Sequence, residues 1–213
     1  MYRQPWYRRH FIAAALLGAS AGLSAARTPP VILVLGDSLS AEYGLKRGSG
    51  WVALLQQRLA KEKIPAQVVN ASISGDTTSG GRSRLAALLA QHRPTHLIIE
   101  LGGNDALRGL PLAMTQDNLD HMTQTAQASG AKVLLLGMQV PPNYGADYTR
   151  AFAASFANVA RTRKAALVPF LLRGIADRAD AERWFQADRI HPREEAQGLL
   201  LDNVWPALKK LLP

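Results

Sequence analysis

Short apolar runs recur along this chain, and the segments between them have the spacing of helices. Residues 31–35, 67–70, 96–101, 132–138 and 166–168 read as strands. Residues 51–59, 78–89, 115–128, 148–164 and 193–212 read as helices, the last one broken or offset around Pro206. A strand with one wet face alternates apolar and polar residues, whereas a strand covered on both faces is apolar throughout, as residues 31–35 and 133–136 are. Strands alternating with helices imply repeated crossover units and a parallel sheet between two helical layers. The expectation is therefore an α/β fold. With no internal repeat and no linker, residues 27–213 form one domain of ordinary size.

The first residues do not belong to that pattern. Residues 1–10 carry Arg3, Arg8 and Arg9 and no acid, residues 11–26 are uncharged, and Ser24-Ala25-Ala26 supplies the small residues a signal peptidase accepts. This predicts a cleaved secretory signal over residues 1–26. Arg8-Arg9-His10-Phe11-Ile12 also resembles a twin-arginine export signal, so the export route stays open between the two systems. The leader holds three of the 25 basic residues and none of the 16 acids, which leaves 22 against 16 and a net +6 for the remaining chain. These cations are scattered rather than clustered, which argues against nucleic-acid binding; they suit solubility and peripheral contact with anionic lipid surfaces. The absence of cysteine excludes disulfides and thiol chemistry, and no spacing suggests a metal site. No apolar seam calls for an oligomer, so a monomer is expected.

Parallel sheets bind their ligands beyond the carboxyl ends of the strands, near the point where strand order reverses. Three segments fall at such ends: Gly36-Asp37-Ser38 after the first strand, Asn70-Ala71-Ser72-Ile73-Ser74-Gly75-Asp76 after the second, and Gly102-Gly103-Asn104-Asp105 after the third. A fourth, Asp188-Arg189-Ile190-His191, precedes the last helix. A serine hydroxyl becomes a nucleophile when an imidazole takes its proton and a carboxylate holds that imidazole in the right tautomer. Ser38, His191 and Asp188 match those roles, with Ser38 expected at a strand–helix junction where the helix dipole assists. The backbone N–H groups of Ser38 and Gly75 and the amide of Asn104 are the expected oxyanion donors. Asp37, Asp76 and Asp105 are expected to pin loops. His92, His96 and His121 are read as structural or surface residues. Gly18-Ala19-Ser20-Ala21-Gly22 also fits a G-x-S-x-G nucleophile pattern, but it lies inside the leader with no strand before it.

These blocks are similar to those of the SGNH (GDSL) hydrolases, which are named for a serine, glycine, asparagine and histidine in four blocks. Here those residues are Ser38, Gly75, Asn104 and His191, and the likeness extends over residues 30–213. Within the family, Leu35-Gly36-Asp37-Ser38-Leu39-Ser40-Ala41, Glu100-Leu101-Gly102-Gly103-Asn104-Asp105 and Pro142-Asn143-Tyr144-Gly145 resemble the periplasmic thioesterase, lysophospholipase and arylesterase members of Gram-negative bacteria. The resemblance implies a flavodoxin-like three-layer α/β/α fold with a five-stranded parallel sheet in the order 2-1-3-4-5. It also implies cleavage of acyl and aryl esters, thioesters and lysophospholipids, a periplasmic address and no cofactor. The loop at 139–147 would help form the acyl groove. Arg108, Leu110, Val140 and Tyr144 are the expected substrate-binding residues. Two other readings stand beside this one: a deacetylase acting on cell-wall or exopolysaccharide O-acetyl groups, and an inactive lipid- or glycan-binding module on the same fold.

Overall fold

The structure is a computed structural model that describes residues 1–2 and 29–212. The leader beyond residue 2, with the motif at 18–22, lies outside the described residues. Five parallel strands form one sheet: β1 (Val31–Gly36), β2 (Gln67–Asn70), β3 (His96–Glu100), β4 (Lys132–Leu136) and β5 (Ala166–Val168). Their order is β2-β1-β3-β4-β5, the order the resemblance implies. Six helices accompany them: α1 (Trp51–Lys61), α2 (Thr78–His92), α3 (Gly103–Leu107), α4 (Leu112–Ala128), α5 (Ala146–Arg163) and α6 (Gln197–Lys209).

Handedness sorts the helices. A parallel crossover is almost always right-handed, so a step from β1 leftward to β2 and the later steps rightward put their helices on opposite faces. Accordingly α1 packs beside α6, while α2, α4 and α5 pack side by side in that sequence. Strand order reverses between β1 and β3, which are hydrogen-bonded neighbours with Gly36 opposite Glu100. The loops after these two strands therefore leave the sheet side by side in opposite directions.

The apolar strands form the centre of the core. Ile32, Leu33, Val34 and Leu35 in β1 and Leu97, Ile98 and Ile99 in β3 are all 0% exposed, as expected for strands covered on both sides. On α5, Tyr148 lies parallel to Phe152 at 6.4 Å, and Phe152 meets Phe156 edge-on at 5.4 Å and 87°. Phe152 is completely buried. Replacing it with alanine should lower the free energy of unfolding by about 3–5 kcal/mol in urea denaturation, because the surroundings cannot close over a void that large.

Element boundaries shift in ways that have local causes. The sequence reading starts its third helix at residue 115, but the corresponding α4 begins at Leu112 because Pro111, with φ fixed at −59°, leads the chain into the first turn. The final helix is not broken at Pro206. α6 runs through it from Gln197 to Lys209. Proline removes a donor to the carbonyl four residues back, that of Asp202, and both residues are exposed, so water replaces the lost bond while Leu200, Val204, Trp205 and Leu208 stay buried.

Candidate active site

Ser38 follows β1, but it does not sit at a helix start. Residues 38–44 form successive turns, in which Asp37 O accepts Ala41 N (2.9 Å) and Ser38 O accepts Tyr43 N (3.4 Å), and α1 begins only at Trp51. One turn sums too few peptide dipoles to act as a helix. The expected dipole assistance is therefore corrected: no helix begins at Ser38, and the turn offers it only individual N–H groups. The turn is fastened at its base, where Asp37 Oδ1 accepts Leu39 N at 3.0 Å and Ser40 Oγ donates to Glu100 Oε2 at 2.8 Å.

Asp188 and His191 occupy a tight hairpin. Phe185 and Pro192 form an antiparallel bridge, Gln186 N donates to His191 O (2.8 Å), and Arg189 takes the left-handed conformation (φ 57°) that reverses the chain. Asp188 Oδ1 accepts Ile190 N (2.9 Å) and His191 N (3.0 Å), and its Oδ2 accepts the His191 Nδ1–H at 2.7 Å. Partial burial pushes the Asp188 carboxyl up. The two backbone N–H groups and the imidazole outweigh this and hold it at about 2. With Nδ1 carrying the hydrogen, Nε2 is left as an acceptor, and the Ser38 hydroxyl donates to it at 2.8 Å. The hairpin is also tied to the serine's own loop. Gln186 Nε2 donates to Tyr43 O (2.9 Å), and the Tyr43 ring lies 4.4 Å from the His191 ring. Gly44 takes the left-handed conformation (φ 69°), and a Cβ there would lie 2.1 Å from Gln186 Oε1, so a side chain would strain the turn and push Gln186 aside.

The expected oxyanion donors converge on the same edge. Neither the Ser38 N–H nor the Gly75 N–H has a hydrogen-bond partner among the described residues. Gly75 needs to be glycine because its φ is +79°; the space its Cβ would fill is open, with Arg108 Nη2 the nearest atom at 3.6 Å. Asn104 opens α3, and both hydrogens of its amide already have acceptors: Asp37 Oδ2 at 3.0 Å and Asp76 O at 2.9 Å. An incoming oxyanion would share one of these N–H groups.

Of the four expected substrate residues, Arg108 stands nearest to these groups, with Nη2 donating to Gly75 O at 2.8 Å. Tyr144 is partly exposed and stacks on Tyr148 at 6.0 Å. Val140 is half-buried against the core, and half-buried Leu110 closes the turn after α3 through its N–H to Asp105 O (2.9 Å). Neither has a recorded contact with Ser38 or His191.

The three loop-pinning aspartates do what their type suggests. Asp76 accepts Thr77 N (2.9 Å) and pairs with Arg84 (2.7 Å), and fully buried Asp105 accepts Thr78 N (2.9 Å) and Thr115 Oγ1 (3.2 Å). His96 is structural: it bonds Leu211 O at 3.0 Å, and burial lowers its pKa. The sequence reading missed Arg84, which ties both ends of the loop after β2 to the end of β1 by also bonding Ala71 O and Gly36 O (3.4 Å). It also missed an apolar rim. Apart from residues 1–2, the large apolar side chains that stay exposed among the described residues are Tyr43, Ile73, Leu107, Tyr144 and Ile190. Four of these sit beside His191, Gly75 or Arg108 in the chain or in space. Such a cluster marks a surface that meets something apolar.

Comparison with known proteins shows the family. Residues 34–199 match the model of the GDSL-like lipase/acylhydrolase family. The chain is 56% identical over 181 residues to esterase TesA of Pseudomonas aeruginosa, covering 85% of this chain and 89% of that protein. It is 41% identical over 182 residues to thioesterase 1/protease 1/lysophospholipase L1 of Escherichia coli K12, covering 85% and 83%. A crystal structure of TesA superposes with a TM-score of 0.82 over 85% of this chain and 99% of that one. A sheet with this strand order, carrying these four blocks at its carboxyl edge, belongs to the GDSL-like lipase/acylhydrolase family.

Proposed function

We propose that this chain is an exported serine esterase and thioesterase working through an acyl-enzyme on Ser38. The observation that carries the reading is the continuous relay from Ser38 Oγ to His191 Nε2 (2.8 Å) and from His191 Nδ1 to Asp188 Oδ2 (2.7 Å). As Ser38 Oγ attacks the carbonyl carbon of an ester, its proton passes to Nε2, and the carbonyl oxygen takes up the negative charge opposite the N–H groups of Ser38, Gly75 and Asn104. Collapse expels the alcohol or thiol, which leaves with the proton from His191. Water then repeats the cycle, giving its proton to His191 and its oxygen to the acyl carbon, and Ser38 recovers its hydrogen. Asp188, ionised throughout the working range, holds the ring in the tautomer both half-reactions need and offsets the imidazolium charge between them.

The exposed apolar side chains of Tyr43, Ile73, Leu107 and Ile190 suit a substrate with an apolar acyl or aryl group. The multifunctional name of the Escherichia coli relative extends the range to thioesters and lysophospholipids. The leader at residues 1–26 supports a periplasmic location, with a monomer touching membrane lipids peripherally.

Two measurements test this together. A fluorophosphonate probe should modify one residue, Ser38, as read by peptide mass spectrometry. In a series of p-nitrophenyl esters, kcat/KM should rise from acetyl toward octanoyl, since each added methylene buried against the rim contributes up to about 0.8 kcal/mol. A preference for acetyl would favour the polysaccharide deacetylase reading. A protein that ignores the probe yet binds lipid would be a binding module.

A further inference from the structure

Two carboxyl groups lie beneath the nucleophile turn with no cation between them. Glu100, the last residue of β3, is 0% exposed, and Asp37, the residue before Ser38, is 2% exposed. Glu100 Oε2 accepts Ser40 Oγ (2.8 Å) and Asp37 N (3.3 Å). Its other oxygen, Oε1, is buried and has no donor. Asp37 spends both oxygens as acceptors, Oδ1 from Leu39 N (3.0 Å) and Oδ2 from Asn104 Nδ2 (3.0 Å). The charged groups that face the pair are few. Arg84, on α2, is committed to Asp76 and to the Ala71 and Gly36 carbonyls, and the charge of His191 acts on Asp37 from the hairpin.

An ionised carboxylate only accepts hydrogen bonds. A buried carboxylate oxygen with no donor is therefore costly, and a second unpaired charge beside it costs more. A proton on Glu100 removes both penalties: the carboxyl loses its charge and gains a donor, and the Asp37 carboxylate lies within hydrogen-bonding reach to accept it. Burial does push Glu100 well above the usual carboxylate range, and Asp37's charge raises it further. Burial also raises Asp37, to about 6, with the Leu39 N–H, Glu100, His191 and Asn104 pulling the other way.

We propose that Asp37 and Glu100 form a proton-sharing pair in which neutral Glu100 donates to ionised Asp37, and that Asp37 thereby positions the Asn104 amide and the Ser38 turn for catalysis. Neither residue touches substrate; both are positioning residues, and the proposal rests on the esterase reading above. It makes the acid that ends an otherwise apolar strand a support for the Asn104 amide, acting through Asp37 and not on substrate. It also has a cost in stability. Folding raises both acids above their unfolded values, so their favourable contribution is full below about pH 4 and falls away as pH rises through about 6 for Asp37.

Glutamine at position 100 reproduces neutral glutamic acid, with one donor for Asp37 and one acceptor for Ser40. Glu100→Gln should therefore keep kcat within a few-fold of wild type, whereas Glu100→Leu, which strands Ser40 and Asp37, should lose about 10²-fold in kcat with KM little changed, a loss typical of misplaced catalytic groups. Asp37→Asn should fall in kcat like Glu100→Leu. A Glu100→Gln protein as impaired as Glu100→Leu would overturn the proposal by showing that Glu100 works as an anion. The second readout needs no substrate and no variant activity. In protein labelled with ¹³C at glutamate carboxyls, one resonance should stay at the protonated position from about pH 5 to pH 8, where an ordinary glutamate (about 4.3) is ionised. That resonance should be missing in Glu100→Gln. Its absence from wild type would sink the shared proton even if esterase activity is found, and its presence in a protein without esterase activity would sink the functional reading alone.

Discussion

Ser38→Ala should leave a folded protein whose kcat for a p-nitrophenyl ester is lower by about 10⁴- to 10⁶-fold. The size follows from how little else the site offers as a nucleophile. His191 would still sit on Asp188, and the Ser38 and Gly75 N–H groups would still be free, so the residual rate would be that of water attacking a polarised carbonyl. The structural cost is small. Ser38 is partly exposed, its hydroxyl makes one recorded hydrogen bond, and the turn is held by Asp37, Leu39 and Ser40 rather than by the serine side chain. Thermal unfolding followed by circular dichroism should therefore match wild type within a few degrees. Turnover within tenfold of wild type would remove Ser38 from the reaction.

Asp188→Asn should be almost as damaging, with kcat down by about 10⁴-fold, although it changes one oxygen to an NH₂. The wild-type carboxylate accepts from His191 Nδ1 at 2.7 Å, which leaves Nε2 free to accept from Ser38. An asparagine that presents its NH₂ to the ring requires Nδ1 to be the acceptor. The hydrogen then moves to Nε2, where it faces the serine hydroxyl and cannot accept its proton. The backbone bonds from Ile190 and His191 to Oδ1 can be retained by the amide oxygen, so the hairpin should keep its shape. Nitrogen NMR of His191 reads the tautomer directly, and a variant that loses activity while keeping the Nδ1–H form would count against this mechanism. The depressed pKa adds a pH check. The stabilisation from Asp188 is present above its unfolded value near 4 and is lost as pH falls toward about 2, so acid should weaken the hairpin of wild type more than that of Asp188→Asn.

Much of this architecture is legible before any coordinates. Continuous apolar runs announce strands with two covered faces, and a ligand edge follows from parallel strands alone. Ser38, Gly75, Asn104, Asp188 and His191 are visible because each falls in a turn-rich segment at such an edge, and the structure brings the serine, histidine and aspartate into one hydrogen-bonded line. What stays hidden depends on distance in space. Glu100 looks like a strand's polar end until Gly36 is found opposite it in the neighbouring strand. Arg84 is one scattered cation among many until α2 aims it at the loop after β2 and the end of β1. Tyr43 and Gln186 are separated by 143 positions and meet only because the last loop folds back over the first. Pro206 reads as a helix break, yet tertiary burial on the opposite face outweighs one lost hydrogen bond.

The two halves of the relay are anchored unequally. Ser38 stands on a sheet whose central strands are wholly enclosed, whereas from Ala176 to His191 only Phe185 is buried. Regions with so few apolar contacts open at free energies well below that of the whole molecule. Warming or mild denaturant will therefore detach the base from its nucleophile while the sheet is still intact. Inactivation will run ahead of melting, and cooling will restore activity as long as the core has not come apart.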